Sequence, residues 1–97
     1  MDKEEIKAAD LSTEAEMLKV LGHPVRLKIV VGLTANACCV KDIWECMDLP
    51  QPVVSQHLSI LKSRGVVESK REGKRVLYSV CSPFAQKVAM SLVNSMD

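Results

Sequence analysis

Residues 49–80 read LPQPVVSQHLSILKSRGVVESKREGKRVLYSV, and this stretch decides the fold. Its first half predicts a short helix, in which Val54, Leu58 and Leu61 share one side and short polar side chains occupy the other. Gly65 suits the left-handed position that follows many helix ends. Two runs of β-forming residues come next, separated by a glycine turn, and they predict a hairpin with a strongly basic tip.

The rest of the chain is predicted to be mostly helical. Pro24 suits the first turn of a new helix after a glycine break, and Pro50 ends another helix because the residue before a proline avoids helical angles. The predicted elements are helices over 3–21, 24–33, 40–47 and 51–64, strands over 66–71 and 75–80, and a last helix that Ser82 caps and Pro83 begins. The sequence therefore predicts a mainly α fold with a β-hairpin wing, a winged helix-turn-helix of order ααααββα.

The first helix contains a second possible start at Ser12. Residues 1–10 are therefore predicted to form an acidic N-terminal arm, whose order the sequence leaves open, and 11–97 to form the winged helix-turn-helix and dimerisation domain. Helical spacing predicts the buried sides of the first and last helices. These are Leu11, Ala15, Leu18 and Leu21 in the first, with Met17 nearby, and Val88, Leu92 and Met96 in the last.

The chain is nearly neutral as a whole, but its charged residues are unevenly distributed along the sequence. The 97 residues suffice for one domain, with a small aliphatic core to which dimerisation would add buried surface. The net charge is +1, yet residues 1–23 have six acidic and three basic side chains, whereas 51–81 have two acidic and six basic ones. Such a chain can bind a polyanion at one face only; the alternative is an ordinary fluctuation of surface charge.

Several classes of protein are not indicated. The start is acidic and polar and the apolar runs are too short to span a bilayer, so we expect a cytoplasmic protein with no membrane partner. An enzyme is not expected, because no phosphate loop, no carboxylate pair in a pocket context and no nucleophile with a plausible base is evident.

The outward side of the helix over 51–64 has the chemistry of a DNA-reading surface. Gln51, Ser55 and Gln56 can reach base edges, and a glutamine can form two hydrogen bonds with adenine. His57 is a candidate phosphate contact. The alternatives are solvated polar residues for the first three and a ring packed beneath the helix for His57.

The hairpin has a different kind of chemistry. Lys70, Arg71, Lys74 and Arg75 surround its turn, and Lys62 faces outward from the preceding helix. Such cations neutralise backbone phosphates, which gives affinity but little sequence information. An arginine here can also enter a minor groove. The alternative is an ordinary charged turn.

Three motifs in this order resemble the ArsR/SmtB family of bacterial winged-helix repressors. They are LGHPVRLKIV over 21–30, LPQPVVSQHL over 49–58 and KREGKRVLYS over 70–79, and the resemblance covers about residues 11–95. It implies a homodimer joined through its first and last helices and an inverted-repeat operator in double-stranded DNA. It also implies repression that is relieved by a metal ion, a metalloid or an oxidising sulfur species.

The cysteines depart from the pattern of the arsenic-sensing members of that family. Those members have Cys-Val-Cys-Asp-Leu at the start of the third helix and a further cysteine soon after. Here Cys39 matches the first thiol, Lys41 stands where the second belongs, and Trp44 follows the run. Cys38 would complete a three-thiol site only with a different geometry. The zinc site of other members uses histidines of the last helix, and residues 82–97 contain none. The sequence therefore identifies no definite cofactor, and a soft metal ion or metalloid is the candidate inducer.

Three interpretations of the thiols remain open. In the first, Cys38 and Cys39 bind a soft metal or are oxidised, because a nearby lysine and a helix N-terminus favour the thiolate. In the second, Cys39 and Cys81 form a redox or persulfide pair. In the third, all four cysteines are small buried residues, and Cys46 is predicted to belong to this class.

The sequence predicts a DNA-binding transcriptional repressor that a thiol-reactive signal releases from its operator. Two recognition helices of a dimer would lie about 34 Å apart, one turn of DNA. The alternatives are a winged-helix protein-interaction module and a regulator of the same type without cysteine-based sensing.

Overall fold

The computed structural model describes residues 1–35 and 38–96, apart from the side chains of 38–42 and of Trp44. Its elements in chain order are α1 (Lys3–Ala8), α2 (Ser12–Leu21), α3 (Pro24–Ala35), β1 (Cys38–Cys39), α4 (Val40–Met47), α5 (Gln51–Ser63), β2 (Val67–Glu72), β3 (Arg75–Val80) and α6 (Pro83–Ser95). The predicted winged helix-turn-helix is confirmed: α4 and α5 form the helix pair, and β2 and β3 form the wing. None of the described helices combines the length and hydropathy that crossing a bilayer would need.

The predicted helix over 3–21 is wrong as one element, because the chain leaves helical geometry at Ala9. The Asp10 carboxylate accepts hydrogen bonds from the Ser12 hydroxyl at 2.6 Å and from the Ser12 amide at 3.1 Å, which secures the start of α2. The same two bonds lower the pKa of the Asp10 carboxyl. The predicted arm thus contains the short helix α1, which has no buried residue.

The sheet has a strand that sequence reasoning missed. β1 pairs antiparallel with β3, Cys38 opposite Tyr78 and Cys39 opposite Leu77, so that the strand order is β1-β3-β2. A two-residue strand is too short to show a period, and only its pairing with β3 defines it. The helix predicted over 24–33 is longer in the structure, since α3 continues to Ala35; residues 36 and 37 lie outside the described part of the chain.

The core lies where α3, α5 and α6 meet the base of the wing. Val54, Leu58 and Leu61 are all at most 1 % exposed, which confirms the predicted inward side of α5. The other fully buried large side chains come from α2, α3 and the start of the wing: Leu21, Ile29, Val30, Val66 and Val67. This packing holds the outward side of α5 on the surface, next to the wing.

Two predicted buried faces are only partly confirmed for this single chain. At α2, Leu21 is buried as predicted, but Leu11, just before the helix, and Leu18 are 64 % and 49 % exposed, and Val20 is buried. On α6, Met96 is 74 % exposed, whereas Ala85 and Ala89 are completely buried. Small alanines let α6 pack closely on the core, which leaves larger apolar side chains of the two helices in contact with solvent.

Candidate nucleic-acid interface

Helix α5 presents the predicted polar residues to solvent. Gln51 and Gln56 are exposed and Ser55 is half-buried. Pro50 occupies the N-cap in extended geometry, and the helix begins at Gln51. The outward amides therefore stand on a helix whose opposite side is anchored in the core, which is the geometry that reading base edges requires.

The end of α5 is secured by Gly65, at φ +74°. The Gly65 amide donates to the Lys62 carbonyl at 3.1 Å, and the Val66 amide donates to the Leu61 carbonyl at 2.9 Å. These two bonds define a Schellman motif, and the buried contact side chains Leu61 and Val66 belong to it. The predicted left-handed glycine is confirmed, and it turns the chain directly from α5 into the wing.

The basic side chains of the wing are exposed to solvent. Lys70, Arg71, Lys74 and Arg75 are all exposed. Gly73, at φ +61°, makes the tight turn between the two strands. Opposed residues of an antiparallel pair point to the same face, so the pairing of Arg71 with Val76 and of Ser69 with Tyr78 puts Arg71 on the Ser69 face.

Lys62 connects α5 to the wing. Its ammonium group donates a hydrogen bond to the Ser69 hydroxyl at 2.8 Å. Both side chains lie at the surface, so the bond remains open to solvent and to a bound polyanion. The predicted phosphate ligand thus also links the end of the recognition helix to the face of the wing that includes Arg71.

His57 turns away from the surface that the glutamines form. Its half-buried ring lies against the His23 ring, with centroids 4.4 Å apart and planes inclined by 39°. The Arg26 guanidinium approaches its Nδ1 at 3.5 Å. Burial, then the charges of His23 and Arg26, lower the pKa of His57. Of the two arrangements considered for this residue, the structure has the ring packed beneath the helix.

Arg26 is the residue that sequence reasoning missed. Its Nε donates to the Val20 carbonyl at the end of α2 at 2.6 Å, while Nη1 faces His57. The side chain therefore spans from α2 to α5. Arg26 lies within the first of the three quoted motifs, but His57 follows it by 31 positions, which hides the contact from any local pattern.

The exposure of the described cysteines differs from the prediction. Cys46 was predicted to be buried, which is wrong, because this residue of α4 is exposed. Cys81 is exposed as well, and its thiol donates to the Gly65 carbonyl at 3.5 Å. The interpretation that all four cysteines are buried therefore fails at these two positions.

The strand register separates Cys81 from β1. Cys39 pairs with Leu77, four residues before Cys81. At about 3.4 Å per residue, these cysteines are offset by about 14 Å along β3, whereas a disulfide needs Cα atoms within about 7 Å. This register disfavours a Cys39–Cys81 bond within one chain. The side chains of Cys38 and Cys39 lie outside the described residues.

A ready-made metal site is not evident among the described side chains. No group of three or more histidine, cysteine, aspartate or glutamate residues there is close enough to hold an ion. The last helix supplies no histidine.

Comparisons with known proteins agree with this geometry. The family model described as bacterial regulatory protein, arsR family, matches residues 23–69, which extend from the start of α3 to β2. The transcriptional repressor PagR of Bacillus anthracis is 39 % identical over 93 residues, which cover 95 % of this chain and 92 % of that protein. The match therefore includes both the recognition helix and the wing.

Two further relatives extend the comparison. The HTH-type transcriptional repressor SmtB of Mycobacterium tuberculosis is 39 % identical over 83 residues, and the match spans 86 % of this chain but only 62 % of that protein. The solved structure of the transcriptional repressor BigR from Xylella fastidiosa superimposes with a TM-score of 0.84 at 30 % identity, covering 100 % of this chain and 98 % of the other.

Proposed function

This chain belongs to the ArsR/SmtB family of bacterial regulatory proteins, and from that membership we propose that it is a sequence-specific DNA-binding transcriptional repressor. One observation carries the proposal: an exposed amide-bearing side of α5 lies beside an exposed basic hairpin, and the Lys62–Ser69 hydrogen bond joins the two. The helix suits a major groove, and the hairpin suits the flanking phosphates.

The two surfaces have different tasks. Gln51, Ser55 and Gln56 read base edges, because their side chains are short, neutral and able to donate and accept. The wing cations, which are Lys70, Arg71, Lys74 and Arg75, bind phosphates and supply affinity that depends on salt. Lys62 sits between them and contributes to phosphate binding while it holds Ser69.

A homodimer is part of the proposal. Leu18 of α2, Met90 of α6 and the flanking residues Leu11 and Met96 have exposed apolar side chains, and the two helices pack together. A second copy would bury these side chains, and two recognition helices would then face an inverted repeat in double-stranded DNA. Their spacing would be about 34 Å, so both must fit the same operator at once.

We place the inducing signal at Cys38 and Cys39. Their backbone forms β1, which pairs with β3 of the wing and leads directly into α4, the first helix of the helix-turn-helix. A thiol-reactive metal ion, metalloid or sulfur species that bonds there would act on the wing and on α4 together. The two DNA-binding parts would then lose their common geometry, which would release the operator.

A mobility shift with DNA from the upstream region of the protein's own gene tests the DNA-binding proposal. We expect a shifted complex that persists at about 0.15 M salt and in an excess of unrelated DNA. Contacts to the bases should add to the affinity that the phosphate contacts supply. Gln56→Ala should reduce the preference for that fragment over unrelated DNA by about tenfold. Binding that ignores sequence and disappears at the same salt concentration would identify a protein-interaction module instead.

The inducer proposal has a separate test. We expect arsenite, cadmium or polysulfide to weaken operator binding by the parent chain but not by the Cys38→Ser/Cys39→Ser double variant. The Cys46→Ser/Cys81→Ser double variant is the matched control, because it removes the two exposed thiols elsewhere. If the first double variant responds as the parent does, this family member does not sense through these thiols.

A further inference from the structure

Three elements meet at a cluster of His23, Arg26 and His57. Arg26, in the first turns of α3, donates through Nε to the Val20 carbonyl of α2 and approaches His57 of α5 through Nη1. The His23 ring, immediately before α3, lies against the His57 ring. The recognition helix is thus connected to the end of α2 by one guanidinium and one imidazole.

The contacts favour particular protonation states of the two rings. A guanidinium can only donate, so the 3.5 Å contact is a hydrogen bond only when His57 Nδ1 accepts, which is the neutral ring with its proton on Nε2. His23 Nδ1 accepts from the Val25 amide at 3.1 Å and caps the start of α3, so this nitrogen is also unprotonated. Both imidazoles therefore fit the cluster in their neutral forms.

The charges around His57 disfavour its protonation. The elements that pack against α5 are α3, α4 and β2. From α3 and its cap, the facing groups are Arg26 and His23, one permanently cationic and one titratable. Among the described charged side chains of α4 and β2, Glu45, Glu68, Lys70, Arg71 and Glu72 are exposed, and burial and the two α3 groups account for the shift.

We propose that Arg26 is a positioning residue that holds the recognition helix through neutral His57, and that protonation of His57 breaks this connection. Protonated Nδ1 becomes a donor that faces another donor, and the new positive charge stands beside the guanidinium and the second imidazole. The ring must then separate from Arg26. His57 directly follows Gln56, so its displacement moves the proposed base-reading side of α5.

The direction of the pH dependence follows from the lowered pKa of His57. Above about pH 6.5 the ring is neutral in both the folded and the unfolded chain, and the stabilising contact is complete. Below that pH the unfolded chain binds a proton before the folded chain does, so the stability of the fold decreases as the pH falls toward the folded-state pKa. Operator affinity is expected to decrease in the same range; this part rests on the proposed function.

The experiment compares the full-length parent with His57→Gln, which cannot be protonated. Urea unfolding midpoints are measured from pH 8 to pH 5 at constant ionic strength, each normalised to its value at pH 8. We expect the parent midpoint to decrease in acid relative to that of His57→Gln. Parallel profiles for the two proteins would overturn the proposal.

Histidine NMR supplies a second readout. The chain has two histidines, so His57→Gln assigns both sets of ring signals. We expect Arg26→Gln to raise the pKa of His57, since the permanently cationic neighbour of the ring is removed. An unchanged His57 titration in that variant would show that Arg26 does not act on the ring.

Operator binding over the same pH range completes the test. We expect the parent to lose about threefold or more in affinity from pH 7.5 to pH 5.5 relative to His57→Gln. If affinity instead rises in acid for the parent alone, His57 contacts phosphate and the positioning role is wrong. Absence of operator binding at every pH would contradict the proposed function, while unfolding and NMR would still decide the proposal.

Discussion

At the scale of single residues, the turns before and after α5 each contain one residue with a positive φ angle. Asp48 has φ +54°, between α4 and α5, whereas Gly65 takes the corresponding left-handed geometry after α5 without the penalty of a side chain. Aspartate tolerates this region better than most residues. The turn of the helix-turn-helix is therefore locally strained, and the turn into the wing is not.

Asp48→Gly is expected to stabilise the fold by about 0.5 kcal/mol, because relief of the left-handed penalty slightly exceeds the added entropy of the unfolded chain. Asp48→Val should destabilise it by about 1 kcal/mol or more, since β-branched residues are outliers there. Urea denaturation at pH 7.5 measures both. A valine variant as stable as the parent would mean that residue 48 is not left-handed.

The exposed thiols give a second prediction at this scale. Cys46 and Cys81 are both accessible, so both should react rapidly with an aromatic disulfide reagent in the native protein. In the Cys46→Ser/Cys81→Ser variant, the number of thiols per chain that react in the rapid phase should be smaller by two. An unchanged rapid amplitude in that variant would show that these thiols are buried after all.

At the scale of elements, α5 and the wing combine two kinds of recognition. The helix exposes neutral amide and hydroxyl side chains, which suit base edges, whereas the hairpin exposes cations, which suit phosphates. The Schellman motif at Gly65 and the Lys62–Ser69 bond give the two elements a defined relative orientation. A substitution in one element should therefore have a different signature from a substitution in the other.

Arg71→Ala is expected to weaken binding to operator and unrelated DNA alike, by about fivefold at 0.15 M salt, because it removes a phosphate contact. The slope of log affinity against log salt should become shallower by about 0.9. Fluorescence anisotropy titrations at several salt concentrations measure both quantities. Lys3→Ala, in the exposed helix α1, is the matched control and should leave the slope unchanged; an unaltered slope in the Arg71 variant would remove Arg71 from the contact surface.

At the scale of the whole molecule, the single chain leaves apolar side chains of α2 and α6 in water. Leu18 and Met90 are 49 % and 44 % exposed, on two helices that pack side by side. The core itself is small and aliphatic. Burying this surface against a second copy would stabilise the fold and place two recognition helices on one operator.

Leu18→Glu is expected to convert a dimer into a monomer and to reduce operator affinity by more than tenfold, because a charge would be buried in the interface and one half-site would be lost. Light scattering coupled to size exclusion gives the mass. Ser91→Glu is the control, since it adds the same charge to the polar side of α6, opposite buried Ala89. A monomeric parent would contradict the dimer proposal directly.

Helix α5 and the wing could be predicted because their signals are local. The Val54, Leu58 and Leu61 spacing, the glycine after the helix and the β-forming runs each lie within a few residues of the structure that they specify. The break before α2 was a weaker signal: Ser12 suggested it, and the Asp10 carboxylate that accepts from Ser12 confirmed it.

Other features depend on segments that are distant in the chain. The His57 ring meets Arg26 across 31 positions, β1 exists only because β3 lies beside it, and Cys46 is exposed although its helix packs on the core. Periodicity, capping and turn chemistry act between near neighbours, so the amino-acid order alone was enough to predict the winged helix-turn-helix and the exposure of the α5 glutamines and the wing cations. Which side chains meet depends on how the helices pack, and the three-dimensional fold alone decided that Arg26 and His57 join α2 to the recognition helix.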